Sequence, residues 1–142
     1  MSETYDLIVI GAGMAGVAAA NKCGAAGWRV AIVDALPYGG TCALRGCDPK
    51  KMLRRGAGIV DAARLMNGKG VDPQGLSINW SDLMAHKRGF TDPVPDKMEN
   101  GLTGNGIETM HGAARFTSAN TLEVDGTAYE ARRFLIAAGA RP

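Results

Sequence analysis

No run of this 142-residue sequence approaches the ~20 consecutive apolar residues that a membrane-spanning helix requires. A basic leader is missing too, since Ser2, Glu3 and Asp6 occupy the start, so no secretory signal is expected. Net charge is scarce at +2, which gives no field for a nucleic acid or an anionic membrane. Metal ligands are few: Cys23, Cys42, Cys47, His86 and His111 show no four-ligand spacing, and no metal site is expected. Internal repeats, low-complexity linkers and a second glycine fingerprint are absent. These absences leave a cytoplasmic α/β protein in which closely spaced cysteines read as catalytic or metal-binding rather than as a structural disulfide.

Glycine is abundant, with 20 residues, about twice average usage. Tyr5 to Ile10 is a short, β-branched apolar run ending at Gly11, the pattern of a strand covered on both faces. Met14 to Ala26 is alanine-rich and helix-permissive, with Gly27 as its stop. Arg29 to Val33 is a second buried strand, ending in Asp34. Leu36 to Gly46 reads as a loop, and Asp48-Pro49 as an N-cap and first turn of a helix running to Met66. Ile78 to Arg88 and Val94 to Leu102 have room for helices, and Ile107 to His111 for a strand. Asp125-Gly126 joins Leu122–Val124 to Thr127–Tyr129 as a hairpin, and Phe134 to Ala138 is a further buried strand. The expected fold is a Rossmann-like parallel sheet with an antiparallel β-meander added late. Cys23 reads as a small core residue, His86 as surface, His111 as structural, and Trp28 and Trp80 as packing residues.

Gly11-Ala12-Gly13-Met14-Ala15-Gly16 follows a strand and opens a helix, the context a dinucleotide fingerprint needs. Gly11 permits the turn, Gly13 admits a pyrophosphate to the backbone, and Gly16 allows close helix–strand packing. Phosphates then meet the free N–H groups and positive dipole of the helix start, close to Met14 and Ala15. Asp34, 21 positions after Gly13, is placed to accept hydrogen bonds from a ribose. The fingerprint alone does not choose between FAD and NAD.

The segment Gly39-Gly40-Thr41-Cys42-Ala43-Leu44-Arg45-Gly46-Cys47-Asp48-Pro49-Lys50-Lys51 carries two cysteines five positions apart. On a regular helix they would stand about 7.5 Å apart along the axis, whereas a disulfide wants Cα atoms ~5.5–6 Å apart. A bridged pair therefore requires a break in the helix, and Gly46 supplies it. Arg45, Lys50, Lys51 and Arg54 surround the pair, a charge pattern expected to lower thiol pKa values. A zinc site and two inert buried thiols remain the competing readings.

This segment resembles the active-site signature of the glutathione reductase, dihydrolipoamide dehydrogenase and mercuric reductase family: Gly-Gly-Thr-Cys, four residues, then Cys. The resemblance is most specific over residues 5–55, and continues in Gly112-Ala113-Ala114-Arg115-Phe116 and Leu135-Ile136-Ala137-Ala138-Gly139. It implies FAD as cofactor and NAD(P)H as electron donor. It implies that Cys47 faces the flavin and forms a charge-transfer complex when reduced, while Cys42 exchanges with a disulfide or binds a soft metal ion. It further implies that Gly40 and Thr41 contact the cofactor and that Lys50 or Lys51 stands near the flavin ring. Gly112, Ala113 and Ala114 would form the adenine side, and Ala137, Ala138 and Gly139 would approach the flavin nucleotide. Asp48, where the family has an aliphatic residue, and Ala138, where it has threonine, are departures. A carboxylate beside a thiolate should raise that thiol's pKa.

The resemblance also implies that residues 1–142 form the N-terminal part of an FAD-binding domain, roughly a third of a homodimeric enzyme, inactive alone. The NAD(P)-binding and dimerisation domains and their catalytic His–Glu pair would lie elsewhere in the protein. The alternatives are a hydroxylase- or dehydrogenase-like oxidoreductase without a redox disulfide, and a non-catalytic dinucleotide-binding fragment.

Overall fold

A computed structural model describes residues 4–140. The chain begins with a strand–helix–strand unit: β1 (Leu7–Ile10), α1 (Met14–Ala25) and β2 (Val30–Asp34). Two helices follow in close succession, α2 (Gly40–Leu44) and α3 (Cys47–Leu65), then α4 (Trp80–Thr91) and α5 (Val94–Gly104). Five strands complete it: β3 (Glu108–His111), β4 (Ala114–Phe116), β5 (Thr121–Val124), β6 (Thr127–Glu130) and β7 (Phe134–Ile136). The parallel sheet runs β3-β2-β1-β7, and β4-β5-β6 form a separate antiparallel meander.

Strand alternation sorts the core into two layers. Leu7, Val9, Val30 and Ile32 join Ala20 of α1 and Leu102 of α5 on one face. Ile8, Ala31 and Val33 meet Leu122 and Val124 of the meander on the other. The parallel sheet is thus sandwiched between helices and meander, and so its central strands are apolar on both sides. Ile8, Val9, Ala31, Ile32 and Val33 are fully buried. Each large side chain among them contributes about 1.5–3 kcal/mol through the water it excludes.

The Rossmann-like arrangement with a late meander agrees with the sequence expectation, and Asp125-Gly126 form the hairpin tip with φ of 46° and 83°. Several details differ. Leu36 to Gly46 is not all loop: after Gly39 and Gly40, with φ of 130° and 61°, the chain closes one helical turn, α2, through Arg45 N–H to the Thr41 carbonyl at 2.9 Å. The cap of α3 is Gly46, and Asp48 lies inside the first turn without capping through its side chain. Asn79 instead caps α4, accepting from Asp82 N–H at 3.3 Å. Ala114 to Phe116, which the sequence reading did not assign to a strand, pair with β5 as one. The strand expected over Phe134 to Ala138 spans Phe134–Ile136, and as an edge strand it leaves Ile136 69% exposed.

Neither tryptophan packs in the core. Trp80 is 61% exposed, and Trp28 lies on the surface under the Arg133 guanidinium, 4.9 Å from the ring centroid. Cys23 is half-buried against the helical face of the core, and His86 is exposed, as expected. Among the described residues no helix is long and apolar enough to cross a membrane.

Candidate functional site

Parallel strands place their carboxyl ends together, and the segments leaving β1, β2, β3 and β7 surround an open cleft of about 630 Å³ there. Gly11, Asp34, Thr41, Gly112, Ala114, Ala138 and Gly139 line it. Ile10, Val33, Ala35, Leu36, Arg45 and Ala140 line it too, although the motif reading did not place them there. They are adjacent in sequence to motif residues, which is the signal that would have found them.

The glycines act mainly on the approach of backbone to backbone. A Cβ on Gly16 would stand 1.9 Å from the Gly11 carbonyl oxygen, so α1 could not lie against β1 with any larger residue. Gly11 itself, at φ 109°, packs against the Ala137 backbone, where a Cβ would stand 2.3 Å from the carbonyl oxygen. Gly40 touches Gly13, and Gly46 packs on Thr41. Gly13, Gly16, Gly40, Gly46 and Ala137 therefore set the backbone approaches without lining the cleft, and Ala113 does not line it either.

Asp34 is anchored from both sides. One carboxylate oxygen accepts from Ala12 N–H at 2.8 Å and the other from Leu36 N–H at 2.9 Å. Its backbone carbonyl accepts from Gly112 N–H at 3.1 Å, tying the end of β2 to the turn after β3. Each carboxylate oxygen keeps a lone pair for a ligand hydroxyl. Behind it the buried Tyr38 hydroxyl lies 3.0 Å from the Ile32 carbonyl and 2.9 Å from that of Met110, and accepts from Met110 N–H at 3.1 Å. Burial pushes the Tyr38 phenol well above its ordinary range. At the same end of the sheet, His111 stacks edge-on to Tyr38 and its Nε2 lies 2.8 Å from Glu99 Oε1.

Cys42 lies in α2 and Cys47 begins α3, so the helix break at Arg45-Gly46 falls between them. Both are free thiols; Cys42 is half-buried and Cys47 exposed. The Cys42 thiol is raised above its ordinary value, first by its hydrogen bond to Cys47, then by burial and by the Cys47 and Asp48 charges, while a backbone hydrogen bond from Cys47 opposes them. The surrounding cations do not lower it, which corrects the expectation drawn from their nearness in sequence. The Asp48 effect has the expected sign, and acts on Cys42.

The cations border other surfaces instead, Arg45 alone of the four also reaching the cleft. Lys51 reaches back 3.7 Å to Asp48 on the solvent face, a pairing of little energetic weight. Arg45, Lys50 and Arg54 border a groove between α3 and α4 together with Leu53, Met84 and Lys87. Neither Lys50 nor Lys51 borders the cleft, and neither do Met14, Ala15, Cys42 or Cys47. Met14 and Ala15 open α1, whose N-terminus no side chain caps. Among the described residues, no group of three His, Cys, Asp or Glu side chains could hold a metal ion.

An uncapped helix start, a glycine-walled backbone approach and a distal carboxylate are the donor and acceptor set a dinucleotide requires, so the residues present fit one. Comparison with known proteins leads the same way. The profile of the family described as pyridine nucleotide-disulphide oxidoreductase matches residues 5–142. A glutathione reductase of Burkholderia cepacia is 37% identical over 142 residues, 97% of this chain and 31% of that protein. A dihydrolipoyl dehydrogenase of Mycoplasma pneumoniae is 34% identical over 139 residues, 97% of this chain and 30% of that one. Among solved structures, the HOCl-induced flavoprotein disulfide reductase RclA from Escherichia coli superposes with a TM-score of 0.76 at 27% identity, covering 97% of this chain and 29% of its own. The chain therefore spans just under a third of the length of these relatives.

Proposed function

The chain belongs to the pyridine nucleotide-disulphide oxidoreductase family, and from that premise we propose that it is the FAD-binding part of an enzyme passing electrons from NAD(P)H to the Cys42–Cys47 pair. The pair in turn reduces a small disulfide or a soft metal ion. The observation that carries this reading is the helix break between two free thiols, in a segment whose Thr41 and Arg45 line the cleft beside the uncapped start of α1. A non-redox dinucleotide protein has no use for that arrangement.

Within this reading the α1 N-terminus and the Gly11 and Gly13 backbone receive the pyrophosphate, and Asp34 receives the ribose. Thr41, at the cleft wall, contacts the phosphates or the ribityl chain, and Gly112 to Ala114 border the adenine. When bound, FAD supplies a ring that accepts a hydride and hands an electron pair to a disulfide. Reduction of the Cys42–Cys47 disulfide takes two electrons and two protons and leaves two thiols. The Cys42 thiolate then attacks a substrate disulfide, forming a mixed disulfide and releasing one thiol. Cys47 attacks the Cys42 sulfur, releases the second thiol and restores the internal bond. Cys47 keeps the flavin-facing role, and it is the more exposed of the two residues. On this reading Lys50 or Lys51 stands near the flavin ring, outside the cleft that neither lysine borders.

The whole protein is, on the same reading, a cytoplasmic homodimer that turns over only with its nicotinamide-binding and dimerisation domains. The test is the absorption spectrum of the full-length protein, oxidised and after two-electron reduction. A flavin spectrum that gains a long-wavelength band, lost in Cys47→Ser, supports the coupled thiol; a flavin that merely bleaches refutes it.

A further inference from the structure

Resting on the dinucleotide reading above, we propose that Arg45 is a phosphate-binding residue of the cleft, its guanidinium pairing with the pyrophosphate. Arg45 is the C-cap of α2, fixed by its N–H to the Thr41 carbonyl at 2.9 Å. It borders the cleft together with Gly11, Thr41 and Gly139, and is the one cation among the described residues that does so. Asp34 is the one anion there. Arg45 is exposed and forms no ion pair among the described residues, so its charge is free to meet a ligand.

Backbone N–H groups and a helix dipole offer only partial charge. Each phosphate of a pyrophosphate brings a full negative charge, and Asp34 adds a like one to the same cleft. A guanidinium at the wall offsets that repulsion, and its planar fork matches phosphate oxygens. The obvious competing task, activating the thiols, does not fit: no cation figures among the influences on the Cys42 thiol. Lys50 and Arg54 border the groove between α3 and α4, which Arg45 borders too, but neither of them reaches the cleft, and Lys51 pairs with Asp48.

The test is binding of FAD, ADP and riboflavin to the apo form of the full-length protein, read by flavin fluorescence and, for ADP, by competition. Arg45→Gln should weaken FAD and ADP by about 10- to 100-fold, the range for losing a charged hydrogen-bond partner. Riboflavin, which lacks phosphate, should bind unchanged. Arg45→Lys should recover part of the loss, and Arg55→Gln, on the solvent face of α3, should lose nothing. Arg45→Met, which keeps the length of the stem, replaces the glutamine variant if that one fails to fold. An Arg45→Gln protein that binds FAD like the wild type would overturn the inference, as would equal losses for riboflavin and FAD. A wild-type protein that binds no FAD at all would instead overturn the dinucleotide reading, and this inference with it.

Discussion

Gly13 and Gly40 face each other so closely that a β-carbon on Gly40 would stand 2.6 Å from the Gly13 Cα. The contact joins the glycine loop after β1 to the start of α2, the helix that carries Cys42. One contact thus couples the position of the glycine loop after β1 to that of the helix carrying Cys42.

Gly40→Ala should therefore damage stability and cofactor binding together. The clash is with backbone, which cannot rotate aside, and φ 61° is strained for any residue with a β-carbon. We expect a loss of roughly 2–4 kcal/mol by urea unfolding, with weaker FAD binding in the full-length protein. Wild-type stability in this variant would mean that the two loops do not bear on each other.

Tyr38→Phe removes a hydroxyl without changing shape. Met110 N–H then loses its acceptor at a fully buried position. The expected cost is about 1–3 kcal/mol in thermal or urea unfolding, the usual penalty of an orphaned buried donor. A neutral result would place water or another acceptor at that amide.

Cys47→Ala should make Cys42 more reactive toward iodoacetamide near neutral pH. The largest influence raising the Cys42 thiol is its hydrogen bond to Cys47, and that is what the substitution deletes. Asp48→Asn should shift the alkylation profile the same way by less, since its charge is a smaller influence. A Cys47→Ala profile moved to higher pH would contradict this account of the pair.

Glu99 is held below the ordinary carboxylate range, first by its hydrogen bond with His111 and then by that from Thr109, against the opposing effect of burial. A depressed carboxyl stabilises the fold above its unfolded pKa, and the contribution fades as pH falls through the folded value. Melting temperatures of wild type and Glu99→Gln should thus differ at neutral pH and converge below about pH 4. The gap should be modest, about 0.5–1 kcal/mol, because the histidine side of the pair is 59% exposed. A gap that widens on acidification would reverse the sign assigned here.

The elements legible in the sequence are those specified by neighbours. β1, α1 and β2 follow from an apolar run, a glycine-punctuated turn and an alanine-rich stretch, each signal within a few residues of its effect. The Asp125-Gly126 hairpin is legible for the same reason, because two residues that tolerate positive φ suffice. The α2 turn was hidden because the glycines that announce a loop are also those that admit a helix against Gly13. Trp80 was misread because its size suggests burial, whereas helix α4 turns it outward.

Composition and local spacing were enough to give the class of fold and to pick out the glycine-rich turn and the two closely spaced cysteines, since each depends on residues near one another in the chain. Folding alone brought Tyr38 to Met110, Glu99 to His111 and Asp34 to Gly112, contacts made across long stretches of sequence. It also sent Lys50 and Lys51, adjacent in sequence, to a groove and a solvent-facing ion pair, and set Arg45 where that groove meets the cleft. Charge acts through distance in space, and a helix sends successive side chains in different directions. That is why the cations that crowd the thiols in the sequence do not govern Cys42 in the fold.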